Sequence, residues 1–205
     1  MSERRAGAIL AGGRARRFGG TAKGLALVGG ARIVDRVVAA LREVAGDIVL
    51  VGASPAVAAT LPSLRVVPDE TPGAGPLGGI IAALRASGRD TLVVAWDMPF
   101  VTAKELRPLL DDRGDADAVA WEADGRVEPL CALYRASALH ALAAAFDAGE
   151  RSPREALRGL RVHLAGRADH VGPSPFTSIN TAEQLEAAHR GCAEAVRHHQ
   201  PEQTS

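Results

Sequence analysis

Aromatic side chains are nearly missing: four phenylalanines, two tryptophans and one tyrosine in 205 residues. A chain so poor in rings offers no series of platforms on which single-stranded bases could stack. Net charge is missing as well, because 24 Lys and Arg balance 24 Asp and Glu. No global field draws such a chain to nucleic acid or anionic lipid, so any anion site has to be built locally. The two cysteines, Cys131 and Cys192, lie far apart and outside any Cys-x-x-Cys pattern. They suggest neither a disulfide framework nor a zinc site and fit a reducing compartment. No apolar run approaches the roughly 18 residues of a membrane span, and the opening MSERRAGAILAGG holds too short an apolar stretch for a signal-peptide core. The expectation is a cytoplasmic protein with no membrane and no nucleic-acid partner.

What is present is aliphatic. The chain is 47% hydrophobic and 23% charged, enough for the core of one globular domain of moderate size. Unbroken apolar runs at 6–12, 47–53, 64–68 and 90–97 read as strands buried on both faces. Between the first two, Ile33, Val37, Leu41 and Val44 repeat at helical spacing, with Val34 and Val38 beside them. Continuous rather than alternating strands, separated by helices, predict an α/β fold: a mostly parallel twisted sheet covered by helices on both faces. After residue 115 the pattern weakens, with strands expected at 117–121 and 128–135, a helix at 137–146, and both strands sharing the sheet. Thr102 with Glu105, Ser152 with Glu155 behind Pro153, and Thr181 with Gln184 have the spacing of capping boxes. The expected organisation is a single domain over 1–196 in two halves, 6–112 and 113–196. The segment 197–205 reads as a disordered tail.

Ligands of open α/β sheets sit beyond the carboxyl ends of the strands, and three polar loops fall there. The first, LAGGRARRFGGTAKGL at 10–25, is neither a Walker loop nor a dinucleotide fingerprint. Its glycines nonetheless let backbone N–H groups approach an anion, and Arg14, Arg16, Arg17 and Lys23 can pair with phosphate oxygens. The second, VPDETPGAGPLGGI at 67–80, keeps its backbone bare and offers Asp69 as an acceptor for an N–H-rich base or a ribose. Gly73, Gly75 and Gly78 do spell Gly-x-Gly-x-x-Gly, but they begin well past the strand end and Pro76 removes a donor, so the match is accidental. The third, VVAWDMPF at 93–100, leaves Asp97 at a strand end among few polar neighbours. A hard divalent cation held by few carboxylates plus phosphate oxygens, as magnesium is, would supply the missing countercharge. The three loops together describe a nucleoside triphosphate with magnesium, and the chemistry they suit is transfer at phosphorus by positioning and charge neutralisation.

In the order LAGGRARRFGGTAKGL, PDETPGAGPLGGI, DMPF, EPLCALY and FTSINTAEQL, these blocks resemble those of molybdenum cofactor guanylyltransferases over residues 6–190. The resemblance implies a Rossmann-like nucleotidyltransferase fold. It implies transfer of GMP from GTP to the phosphate of molybdopterin, giving the guanine dinucleotide cofactor and pyrophosphate, with magnesium as cofactor. On matching positions it implies Arg17, Lys23 and Asp97 as catalytic and Asp97 as the metal ligand. Leu10, Ala11, Gly12, Gly13, Lys23, Asp69, Gly78 and Asp97 would bind the nucleotide, and Glu128, Pro129, Asn180 and Thr181 the acceptor. Other cofactor-biosynthesis proteins and molybdoenzymes are the candidate protein partners.

The chain departs from the family pattern at Phe18 and Ala22, where Met and Asp are usual, and in VLVGAS, which lacks an asparagine often found at the end of the second strand. Two further readings stay open. One is a sibling enzyme using CTP or another phosphorylated acceptor; against CTP, the cytidylyl relatives more often read Leu-Ala-Ala-Gly where this chain has Gly12 and Gly13. The other is a non-catalytic nucleotide-binding module, suggested by Ala22.

Overall fold

The structure is a computed structural model and describes residues 5–12, 22–69, 71, 73–111, 114–167 and 174–198. In chain order come β1 (Ala6–Leu10), a 3-10 turn at Lys23–Leu25, a small hairpin of β2 (Leu27–Val28) and β3 (Ala31–Arg32), α1 (Ile33–Val44), β4 (Ile48–Val51), α2 (Pro55–Ala58), β5 (Arg65–Val67) and α3 (Gly75–Ser87). The chain continues through β6 (Thr91–Ala95), α4 (Ala103–Leu106), β7 (Ala118–Ala123), β8 (Arg126–Tyr134), α5 (Ala138–Asp147), α6 (Pro153–Ala156), β9 (Val162–Arg167) and α7 (Ala182–His198). No helix among the described residues is long and apolar enough to cross a membrane.

Seven strands form one sheet in the order β5-β4-β1-β6-β8-β7-β9. β5, β4, β1 and β6 run parallel, whereas β8 is antiparallel to both its neighbours. From β1 the chain winds outward to β4 and β5 and then returns to β6 on the other side of β1. Such a reversal leaves a crevice beyond the carboxyl ends of the central strands.

Alternate residues of each strand serve opposite faces, as the pleat requires. Ile9, Leu50, Leu92 and Val94 pack with Val34, Val37 and Leu41 of α1 and Leu106 of α4. Ala8, Leu10, Val49 and Val93 pack with Ile80 and Leu84 of α3 and Leu142 of α5. Both faces are therefore covered, which is why these strands read as unbroken apolar runs.

The second half differs from the sequence expectation in three places. β7 and β8 reach further toward each other than expected, closing on a two-residue turn of Asp124 and Gly125 at φ 51° and 70°. That pair is an Asp-Gly hairpin signal. β9 was not expected; it pairs parallel to β7 at the sheet edge. The Ser152 box is half formed: Ser152 Oγ accepts from Glu155 N at 3.4 Å, but Ser152 N donates to Glu150. Glu155 pairs instead with Arg158 one turn on. The boxes at Thr102 with Glu105 and Thr181 with Gln184 are complete in both directions.

Candidate active site

Three strand ends, at Leu10, Val51 and Ala95, floor a cavity of about 490 Å³ in that crevice. Gly12, Lys23, Asp69, Trp96, Asp97 and Leu130 line its walls, together with Gly73, Gly75, Pro76 and Gly79 from the approach to α3. Gly73 and Gly75 take left-handed φ of 79° and 71°, which lets the chain turn sharply into the helix. The start of α3 then places the positive end of its helix dipole at the cavity edge, an arrangement suited to an anion.

Lys23, Asp97 and Asn180 meet at one end of this cavity although they come from three distant stretches of chain. The ammonium of Lys23 donates to Asn180 Oδ1 and lies 3.8 Å from Asp97 Oδ2. Asn180 is held in turn: its N–H donates to Gln184 Oε1 at 2.6 Å and its amide nitrogen to Ser178 O at 3.3 Å. The main chain of Asp97 is tied to the same late loop, because Ile179 N donates to Asp97 O at 2.9 Å. Burial pushes the Asp97 carboxyl above the ordinary carboxylate range, and the nearby charge of Lys23 only partly offsets this. A second cationic partner is therefore welcome at Asp97. No cluster of three or more His, Cys, Asp or Glu gathers among the described residues. A divalent ion on Asp97 would thus draw its other oxygens from phosphate and water, the regime of magnesium, and the donor set fits that ion.

Asp69 crosses over the end of β4. Gly52 there has φ 71°, and a Cβ on it would stand 2.7 Å from Asp69 Oδ1. Gly52 N also donates to Val67 O at 2.9 Å, so the backbone cannot swing aside freely. Burial raises the Asp69 carboxyl as well. At the end of β4 this chain uses bare backbone as a rest for a carboxylate. Gly52→Ala is expected to cost about 1–3 kcal/mol in urea unfolding, from left-handed strain plus the displaced Asp69. It should also weaken nucleotide binding several-fold, and an unchanged unfolding midpoint would contradict the contact.

Glu128 and Pro129 sit in a bulge of β8. Opposite β7, Ala120 faces Ala132 while the next residue, Trp121, faces Glu128. The ladder therefore skips 129–131, where Pro129 has no N–H to donate. Tyr134 Oη donates to Pro129 O at 2.8 Å and Leu130 N to Glu128 Oε1 at 2.9 Å, so the bulge is internally satisfied. It turns Leu130 into the large cavity and Glu128 into a neighbouring cleft of about 420 Å³ shared with Arg126, Arg154, Ser174 and Thr177. Burial pushes the Glu128 carboxyl up; the Leu130 N–H and Arg154 oppose the shift, and the charge of Asp97 adds to it.

The structure thus gathers Leu10, Gly12, Lys23, Asp69 and Asp97 around one cavity, with Asn180 on Lys23. Ala11, buried beneath, donates its N–H to Val51 O at 2.9 Å. Thr181 caps α7 rather than facing the cavity. Gly78 lies inside α3 with its Cα toward Ala74 and Phe146, lining a smaller cleft, and the adjacent Gly79 faces the large cavity instead. Gly13 and Arg17 lie outside the described residues, as do Arg14, Arg16 and Phe18. Ala22 packs against the apolar cluster under α1. Sequence reasoning does not point to Gly52 or Trp96 as cavity or support residues, whereas Leu130, within the EPLCALY block, does line the cavity. A rare tryptophan directly before a strand-end aspartate was the one sequence signal available for the first two.

Comparison with known proteins agrees with this geometry. Molybdenum cofactor guanylyltransferase of Cereibacter sphaeroides is 39% identical over 188 residues, covering 89% of this chain and 94% of its own. The probable molybdenum cofactor guanylyltransferase of Chloroflexus aggregans is 39% identical over 160 residues, covering 75% of this chain and 76% of its own. Among solved structures, molybdopterin-guanine dinucleotide biosynthesis protein A from Archaeoglobus fulgidus superposes with a TM-score of 0.74 at 28% identity, covering 92% of this chain and 99% of that one. The family described as MobA-like NTP transferase domain matches residues 7–171, and with most of its length so matched the chain belongs to that family.

Proposed function

We propose that the protein transfers GMP from GTP to the phosphate of molybdenum-bound molybdopterin, releasing pyrophosphate. An acceptor phosphate oxygen attacks the α-phosphorus of GTP; a new P–O bond forms while the bond from that phosphorus to the α,β-bridging oxygen breaks, and pyrophosphate carries the electron pair away. Negative charge gathers on the phosphate oxygens throughout, so the work of the protein is to place and neutralise it. The observation that carries this reading is the Lys23–Asn180–Asp97 constellation beside a cavity of nucleotide size. Lys23 is held on two sides before substrate arrives, so little reorganisation is needed when it meets a phosphate.

Asp97 would hold magnesium, which would supply positive charge to neutralise the phosphates. Asp69, on the opposite wall of the cavity, can accept from the N1–H and 2-amino group of guanine or from a ribose hydroxyl. Arg17, from the first loop, joins Lys23 on the triphosphate in this reading. On the acceptor side stand Glu128, Pro129, Asn180 and Thr181, and in the adjoining cleft Arg126 and Arg154, beside Asp124 and Glu128, can offer guanidinium groups to the phosphate of a pterin. The strands up to β6 would then serve the nucleotide, and β7–β9 with α7 the acceptor.

Incubation with GTP, magnesium and molybdopterin should release stoichiometric pyrophosphate, and CTP should support little release and no thermal shift. Release with CTP instead of GTP would reassign the base, and thermal shifts without release from either would point to a binding module.

A further inference from the structure

Gly24 and Trp96 meet where the two stretches of chain carrying Lys23 and Asp97 pass each other. Trp96 continues the course of β6 by one residue, its N–H donating to Leu10 O at 3.2 Å. Its indole is 6% exposed, embedded in the aliphatic cluster under α1 and fixed there by packing. The turn at Lys23–Leu25 lies directly on this ring. A Cβ added to Gly24 would stand 2.4 Å from Cε3, 2.6 Å from Cδ2 and 3.1 Å from Cγ of the indole. Carbon atoms pack at about 3.5–4.0 Å, so a side chain at position 24 must lift the turn by about an ångström. The backbone at Gly24 is outside the left-handed region that favours glycine; the ring, not the conformation, excludes a Cβ here.

Lys23 directly precedes Gly24 and Asp97 directly follows Trp96, and the two charged ends stand 3.8 Å apart. We infer that Gly24 and Trp96 form a positioning pair: bare backbone seated on a buried indole sets the height of the Lys23 ammonium above Asp97. The inference rests on Lys23 as the phosphate-binding cation of the proposed function. An ammonium pairs with phosphate as a point charge through short hydrogen bonds, so a lift of that size moves it out of range without unfolding the domain. Asn180 fixes the same ammonium from the other side, so the lysine is located by an amide tether and a packed floor together.

The test is a double-mutant cycle on GTP affinity, measured by equilibrium dialysis with magnesium and without acceptor, on Gly24→Ala, Trp96→Val and the double variant, each confirmed folded by circular dichroism. Gly24→Ala alone should weaken GTP binding about tenfold or more and raise the KM for GTP more than it lowers kcat. Trp96→Val alone should weaken binding only about threefold, and adding Gly24→Ala to it should change affinity by less than about twofold, because the clash is gone. If Gly24→Ala alone does not fold, a double variant that folds and binds GTP is the same rescue. Wild-type affinity in Gly24→Ala, or the same loss in both backgrounds, overturns the pair while leaving the proposed reaction standing. Wild-type protein that binds GTP but releases no pyrophosphate with molybdopterin overturns the reaction and leaves the pair standing, and wild-type protein that does not bind GTP overturns both.

Discussion

Asp97→Ala is expected to lower magnesium-dependent turnover by about 10³-fold or more, the scale of the several kcal/mol that a placed metal charge contributes to a transition state. Asp97→Asn should lose nearly as much, because an amide of the same shape brings no charge. Asp97→Asn departs from the wild type in the opposite sense when stability is measured. Burial is the main influence on the Asp97 carboxyl and holds it above the ordinary carboxylate range, despite Lys23 at 3.8 Å. A carboxyl raised in the folded state binds its proton more tightly there than in the unfolded chain, so its ionisation lowers stability as pH rises through the folded pKa. Asparagine escapes that penalty. Ligand-free Asp97→Asn should therefore be at least as stable as the wild type in urea at pH 7, and the advantage should vanish once the pH falls below the ordinary carboxylate range. A variant less stable than wild type at pH 7 would mean that the pairing with Lys23 outweighs burial. A gain in stability paired with a loss of turnover is what a charge kept for function predicts.

The same site shows where sequence reasoning reaches and where it stops. Strands covered on both faces announce themselves as unbroken apolar runs, and β1, β4 and β6 were legible for that reason. The parallel arrangement then located the loops after them at one crevice, and Lys23, Asp69 and Asp97 do line one cavity. β9 was not legible: it lies at an edge of the sheet, with Leu164 exposed, so its residues carry no consistent buried pattern. The tether between Lys23 and Asn180 spans 157 positions, and no local pattern encodes a contact of that separation. Glycine is equally ambiguous in a sequence. Gly73 and Gly75 are required by backbone conformation, Gly24 by an indole, and Gly52 by both conformation and a carboxylate; only coordinates separate these causes. The Asp-Gly turn between β7 and β8 is readable from its residue types alone.

Lys23→Ala should lower kcat/KM for GTP by about 10²–10³-fold, roughly 3–4 kcal/mol of lost charge stabilisation at the phosphates. The loss has two sources that an arginine separates. Lys23 meets Asn180 and Asp97 as a compact ammonium within one turn of chain lying on Trp96. A guanidinium keeps the charge but is larger, planar and directional, and cannot occupy the same point between an amide oxygen and a carboxylate. If charge alone mattered, Lys23→Arg would recover most of the activity. Because location matters too, it should recover a minor part, with KM for GTP restored further than kcat. Removing the ammonium also leaves Asp97, whose side chain is 13% exposed, without its counter-charge among the described residues. Lys23→Ala should accordingly lose about 1–3 kcal/mol of ligand-free stability at neutral pH, and Asp97→Asn in the same chain should return most of it. An additive double variant would show that the two groups do not share one electrostatic environment, whereas the expected non-additivity would place the phosphate-binding cation and the metal-binding carboxylate in a single coupled unit.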